Sequence, residues 1–468
     1  ITGLVGSEMC IRDRYHPHVR EDQQQELGLA GNLWVISEND DWNPVDREEV
    51  LILDDILIEE KKIRSFDDEV TDHALMGRYG NIYLLNGQED YKLRVQQNEI
   101  IRLYLTNVAN TRTFRFAIPW AKMKRVGSDL GRYERDEWVG NIDIAPAERY
   151  IMELVFDEAW VYEIQNATPD FTDNIGMVEV VASEGRALES FDSLSSYTPI
   201  SESIDPFRQY LDIEPSKKLR LSLEIHGAMA EMDHSMMMND HHEEHGGIEW
   251  SDTMNTMNTA MTSENTTWQL IDEDSLEENM KINWKFTQGD IIKIRIFNDP
   301  DSDHPMHHPI HFHGQRFLVT NRNGVLQENL VWKDTVLVPM WEYVDILLDS
   351  SNPGKWMAHC HIAEHLSSGM MMNFEVLPSD EMQELRVVTV EARKFSFDPD
   401  IIRVKQWERV KLIIDNVDML HGIGVPDMEL FWDKEIILDT STKGEFPFWC
   451  ANFCGSGHEN MTGKIIVE

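Results

Sequence analysis

Apolar and polar residues alternate along three stretches of the same length, Val95 to Asn107, Phe286 to Asn298 and Val404 to Asn416. Each carries a Gln near its start, then an acidic residue, then apolar residues at every second position, and each closes on an Asn. A period of two predicts a strand with one face in a core. The repeat therefore predicts one β-sandwich unit occurring three times, each with a loop at its end where ligands can sit. A further apolar run, Val50 to Ile58, reads as a buried strand closing a first domain, and a charged connector from Glu59 to Asp72 comes after it. The polar stretch Pro378 to Glu381 separates one last sandwich. The expected fold class is all-β, a row of tandem sandwiches.

The three repeats lead into chemically different loops. After Asn298 come His308, His311 and His313, and after Asn416 comes His421. After Asn107 come Phe114, Phe116, Ile118 and Trp120, an apolar run without a metal ligand, so the middle sandwich is expected to be metal-free packing. Downstream lies His359-Cys360-His361, with His365 and Met370 close behind. On a strand His359 and His361 point one way and Cys360 the other. Cys360, His365 and Met370 would then share one metal and the flanking histidines another. A lone Cys or His is usually a core or surface residue. His308 supplies the second imidazole that a thiolate, imidazole and thioether copper site needs, so the two stretches complete each other.

His308-Pro-Ile-His311-Phe-His313-Gly and, beyond it, His359-Cys-His361-Ile-Ala-Glu-His365-Leu-Ser-Ser-Gly-Met370 together resemble the last cupredoxin domain of the multicopper oxidases, the laccase and cuprous-oxidase family. The resemblance implies tandem Greek-key cupredoxin sandwiches and copper as cofactor. It makes His308, Cys360, His365 and Met370 type 1 copper ligands, His311 a type 2 ligand, and His313, His359 and His361 type 3 ligands. His16 and His18, again at strand alternation, match a type 3 pair that the family carries near the end of its first domain. The family's earlier His-x-His-Gly pair has no counterpart, so a trinuclear cluster from this chain alone is expected to lack one type 2 and one type 3 histidine. The implied reaction is one-electron oxidation of a donor at type 1 copper, coupled to four-electron reduction of dioxygen to water. Many bacterial members carry a Glu just after the type 1 histidine, where this chain has Leu366; Glu364 and Asp22 are the candidates for proton delivery. Met370 as axial ligand implies a lower potential than an apolar residue would give.

The last sandwich has its own cluster. Cys450, Cys454, His458 and Met461 lie in one loop, and His421 arrives from an earlier one. Two cysteines four apart could form a disulfide, which would leave His421, His458 and Met461 unexplained. The pattern resembles the CuA domain of cytochrome c oxidase subunit II and nitrous oxide reductase. That likeness makes Cys450 and Cys454 bridges between two coppers, His421 and His458 their terminal ligands, and Met461 with the Asn452 carbonyl the remainder. It implies electron entry from a soluble redox protein such as a cytochrome c. Cu(I) or a phenol is an alternative donor, and nitrogen-oxide reduction or copper binding without catalysis are alternative functions.

Composition narrows the setting. The chain has 468 residues, with 42 basic against 84 acidic and a formal charge of -42, which argues against a nucleic-acid partner and for a cationic partner or a salty habitat. No apolar run reaches the length of a membrane span. Residues 1–14, from Leu4 onward, resemble a reading frame of a sequencing adapter, contain Cys10, and are excluded from fold reasoning; the natural N-terminus, with any secretion signal, is expected to be missing. The expected domains are 15–60 (end of a first cupredoxin), 61–222 (a copper-free second), 223–264 (a mobile Met/His-rich linker or insertion), 265–378 (the oxidase cupredoxin) and 383–468 (the CuA-like one). The linker carries His226, His234, His241, His242, His245 and many Met; it is either a copper-loading segment or a solvated loop. Cysteines kept for metal sites suggest a periplasmic or extracellular protein.

Overall fold

The computed structural model describes residues 12–34, 42–183, 191–227, 246–379 and 386–468, apart from 406, 407, 409, 429, 439 and 441. The chain divides into two compact units, Ile1–Val376 and Leu377–Glu468. No helix among the described residues is long and apolar enough to cross a membrane.

The first unit contains two sandwiches. In one, a six-stranded sheet with Arg149–Val155, Ile101–Asn107 and Arg47–Ile56 at its middle packs on a five-stranded sheet that includes Phe114–Ala117 and Thr172–Val181. Leu51, Leu53, Leu103, Leu105, Phe114, Phe116 and Val178 form its core. In the other, Lys217–Ile225, Ile291–Asn298 and Tyr343–Asp349 run side by side in a seven-stranded sheet. Its partner is five-stranded and sets Gly354–Cys360 between Met371–Leu377 and His308–Phe312. The second unit is a smaller sandwich of four and five strands.

The repeat strand has the same place in all three. Ile101–Asn107 runs parallel to Arg47–Ile56, Ile291–Asn298 to Lys217–Ile225, and Val410–Asn416 to Arg386–Arg393. The closing Asn of each has a physical reason. Asn107 donates to the carbonyls of Arg112 (2.7 Å) and Ile144 (2.8 Å), bracing the apolar loop beyond it. Asn298 donates to the carbonyls of Met306 and Pro339, and Asn416 accepts the amide of His421 at 2.7 Å. In both of these sandwiches the closing Asn thus fixes the loop that leads to His308 or His421.

Three expected boundaries move. The strand Arg47–Ile56 does not close a first domain: its buried face, with Leu51 and Leu53, joins the core of the sandwich that contains Ile101–Asn107. Lys217–Ile225 belongs to the next sandwich, where it pairs with Thr266–Asp272 as well as with the repeat strand. Of the Met/His-rich stretch, 228–245 lies outside the described residues. Residues 246–264 do not behave as a mobile linker, because Trp250 and Met261 are buried and Met254 and Met257 pack on the core. Of the opening residues, 1–11 lie outside the described set, while Arg12–Tyr15 pairs with Gly31–Trp34.

Replacing Asn298 by Ala leaves the buried loop carbonyls without a donor, and is expected to cost about 1–3 kcal/mol. A thermal or denaturant melt of the first unit's transition measures it; an unchanged transition contradicts the bracing role.

Candidate metal centres

The strands His308–Phe312 and Gly354–Cys360 run antiparallel, with Ile310 opposite Cys360 and His311 opposite His359. Alternation sends His308 and Cys360 toward the core and the other histidines to the far face. On the core side Cys360 Sγ lies 3.6 Å from His308 Nδ1 and 3.8 Å from His365 Nδ1, and the two nitrogens are 3.3 Å apart. The short helix Ala363–Ser367 turns the chain back to place His365. Met370 is wholly buried and tied in by its backbone: its carbonyl accepts the Cys360 amide at 3.1 Å and its amide donates to the His365 carbonyl at 3.0 Å. Trp268 stacks on His365 with ring centroids 4.0 Å apart and donates its indole N–H to the Ala74 carbonyl at 2.7 Å. Burial pushes the Cys360 thiol up and holds both imidazoles well below their usual range. Two neutral imidazoles and a sulfur converging in an apolar core fit a cation, and thiolate, imidazole and thioether together fit copper.

On the far face six imidazoles meet. Ring centroids are 4.9 Å apart for His16 and His361, 5.0 Å for His18 and His313, 4.6 Å for His311 and His313, and 5.4 Å for His359 and His361. His313 Nε2 and His359 Nε2 are 3.0 Å apart. His359 Nδ1 donates to the Cys360 carbonyl (2.7 Å) and His311 Nδ1 to the Asp334 carbonyl (2.9 Å). A carbonyl can only accept, so those nitrogens carry the protons and both Nε2 atoms keep free lone pairs. Burial lowers His16, His359 and His361, and brings His313 down to about 2. The Arg14 guanidinium reaches His361 Nε2 in this cluster. Nearby, Glu364 accepts from Asn110 (3.2 Å) and Thr111 (3.0 Å); burial and the buried Asp22 raise it to about 7.

The second unit has its own cluster. Cys450 Sγ is 3.6 Å from His421 Nδ1 and 3.1 Å from the Asn452 carbonyl, and Cys454 Sγ is 3.6 Å from His458 Nδ1 and 3.9 Å from Met461 Sδ. Both cysteines are free, not joined as a disulfide. Burial and the neighbouring Cys450 raise the Cys454 thiol. His421 Nε2 meets Asp418 at 2.8 Å, and that hydrogen bond lowers Asp418 to about 2. All six residues singled out in this unit from the sequence therefore come together.

Sequence reasoning did not find Trp268, Asp334 or Asp418. Asp418 had a local signal, an acid three residues before His421; the other two meet their histidines only through tertiary packing.

Comparison with known proteins bears on the fold and on one stretch of the chain. Residues 249–380 match the family model described as multicopper oxidase. This stretch is similar to multicopper oxidases. The chain is 22% identical to the multicopper oxidase mco of Staphylococcus aureus, over 77% of the chain and 67% of that protein. It is 26% identical to a laccase of Neurospora crassa over 29% of the chain, and spans only about a quarter of that relative's length. Among solved structures, the multicopper oxidase from Campylobacter jejuni, described as a metallo-oxidase, overlays with a TM-score of 0.57 at 21% identity, covering 80% of this chain and 73% of that one. McoA from Aquifex aeolicus overlays with a TM-score of 0.56 at 22% identity, over 79% and 76%. The fold is the all-β tandem cupredoxin architecture of these oxidases.

The depressed histidines yield a prediction for the copper-free protein. The unfolded chain protonates its imidazoles below the ordinary value of about 6.5, while the folded chain keeps them neutral. Stability should therefore fall as pH drops from about 7.5 to about 5.5. Copper, which needs the same nitrogens unprotonated and also displaces the thiol proton, should leave that slope at least as steep. Melting curves of both forms across this range test it, and a copper-free protein that gains stability on acidification contradicts it.

Proposed function

We propose that this chain is a copper-dependent oxidoreductase of the multicopper oxidase kind, taking electrons one at a time from a donor and delivering them to dioxygen. The observation that carries this reading is that Cys360 and His359 are consecutive residues facing opposite metal-binding clusters, with the His359 ring bonded to the Cys360 carbonyl. In this reading His308, Cys360, His365 and Met370 hold type 1 copper, His311 type 2 copper, and His16, His18, His313, His359 and His361 type 3 copper. Copper bound at these residues supplies one-electron redox chemistry and, at the histidine cluster, the reduction of dioxygen to water. Glu364, raised to about 7 by burial and Asp22, has its carboxyl group oriented by the Asn110 and Thr111 donors, and is the proposed proton source.

The second unit is proposed as a CuA centre, with His421, Cys450, Asn452, Cys454, His458 and Met461 as its ligand set. It would be the place where electrons arrive from a soluble redox protein such as a cytochrome c. Val417, Leu420, Trp449 and Phe453, each close in sequence to one of these residues, are exposed apolar groups suited to a transient protein contact. The formal charge of -42 favours a basic partner. His365 is wholly buried beneath Trp268, which disfavours a phenol touching the ligand edge. A second reading, cuprous oxidation, is favoured by Met254 and Met257 packing on the core that contains Met370. A periplasmic or extracellular setting fits either donor.

Replacing Cys450 by Ser should lower oxygen uptake driven by reduced cytochrome c at least about tenfold, while a small dye that reduces type 1 copper directly stays within about twofold. Equal loss with both donors contradicts the proposed electron entry. Replacing Cys360 by Ser should abolish both activities together with the blue colour.

A further inference from the structure

None of the three candidate metal groups among the described residues draws on the copper-free sandwich. Two of its charged side chains nevertheless close on Asp334 of the neighbouring sandwich. Arg149 presents its guanidinium as a fork, with Nη1 2.6 Å from Asp334 Oδ1 and Nη2 2.7 Å from Asp334 Oδ2. The same group donates to the carbonyls of Ala147 (3.1 Å) and Asp129 (3.2 Å), which fixes its plane. Asp129 accepts the Arg149 amide at 2.8 Å and, with its other oxygen, the amides of Asp334 (3.4 Å) and Thr335 (3.3 Å). Lys333 balances this charge, 3.1 Å from Asp129 and 3.3 Å from Glu148. Arg149, Asp129, Lys333, Glu148 and Asp334 are all buried.

The far end of this lattice is a ligand. The Asp334 carbonyl accepts the Nδ1 proton of His311 at 2.9 Å, and Thr335 Oγ1 lies 3.1 Å from the same nitrogen while donating to Asp334 Oδ1 at 2.8 Å. The copper-free sandwich thus holds the amide and the carboxylate of Asp334, and its remaining polar atom holds His311. A buried ion pair alone is weak evidence for stability. A bidentate fork, however, fixes geometry as well as charge, and groups behind a ligating histidine set its tautomer and orientation.

We propose that Arg149 and Asp129 are positioning residues for His311, so that the copper-free sandwich serves as the brace of the type 2 copper site. Neither residue touches the metal; both act through Asp334. The inference rests on His311 being a copper ligand, and its test separates the two ideas.

The test is electron paramagnetic resonance and copper counting on the copper-loaded full-length natural protein, comparing the parent with Arg149→Met, Arg149→Lys and Asp129→Asn. The blue thiolate absorption reports in each case that the neighbouring core has folded. The expected result is an unchanged blue band with an altered type 2 signal and an affinity for that copper lowered about 10- to 100-fold. Arg149→Lys, which keeps the charge but loses the fork, should fall between the parent and Arg149→Met. If Arg149→Met fails to fold, Asp129→Asn and Arg149→Lys carry the same comparison. An unchanged type 2 signal and copper content in blue, folded variants overturns the bracing role alone. A parent protein that is blue but shows no type 2 signal overturns the reading of His311, and the inference with it.

Discussion

On the strand Gly354–Cys360 successive side chains leave on opposite faces, and Cys360 meets His308 and His365 in a dry core while His359 enters the cluster of imidazoles behind it. Everything else about the oxidase sandwich supports that division. The antiparallel neighbour His308–Phe312 must hold its register, because a shift by one residue would exchange its core histidine for its cluster histidine. The short helix Ala363–Ser367 returns His365 to the thiolate, and Trp268 presses on its ring. Because adjacent residues serve the two clusters, the path between them is the backbone itself, shortened by the bond from His359 to the Cys360 carbonyl.

The sandwich fold supplies loops, and small polar devices aim them. Asn298 and Asn416 sit at the same place in the repeat, and each bonds the loop that leads to a clustered histidine, His308 or His421. Asn107 makes the same kind of bonds in a sandwich that contributes to none of the candidate metal groups among the described residues, so the device belongs to the fold. Burial then decides the donor chemistry. It strips protons from the imidazoles and disfavours a bare thiolate, a cost that a bound cation offsets.

Much of this was legible in the sequence because it is local. The repeat has a period of two, and the residues brought together in the core of the oxidase sandwich and in the second unit lie in short motifs on strands and adjoining loops. The domain edges were less legible. Val50 to Ile58 reads correctly as a buried strand, but an apolar pattern does not say which sheet a strand joins, and it pairs forward with Ile101–Asn107. Lys217–Ile225 likewise pairs forward, with Ile291–Asn298. A methionine-rich composition suggested mobility, yet Met261 fills core space, as a flexible thioether can. The brace on His311 was out of reach: Arg149 and Asp334 stand 185 residues apart and show no pattern until the sandwiches pack.

Whether electrons pass from a redox protein through this chain to dioxygen is decided by oxygen uptake of the copper-loaded protein, with reduced cytochrome c as sole donor and with Cu(I) and a phenol in parallel. Rapid uptake with the cytochrome is expected, with water as the product and the phenol the poorest donor. Uptake with Cu(I) or the phenol and none with the cytochrome would contradict electron entry through the second unit. No uptake with any donor by a fully copper-loaded protein would contradict the oxidase itself.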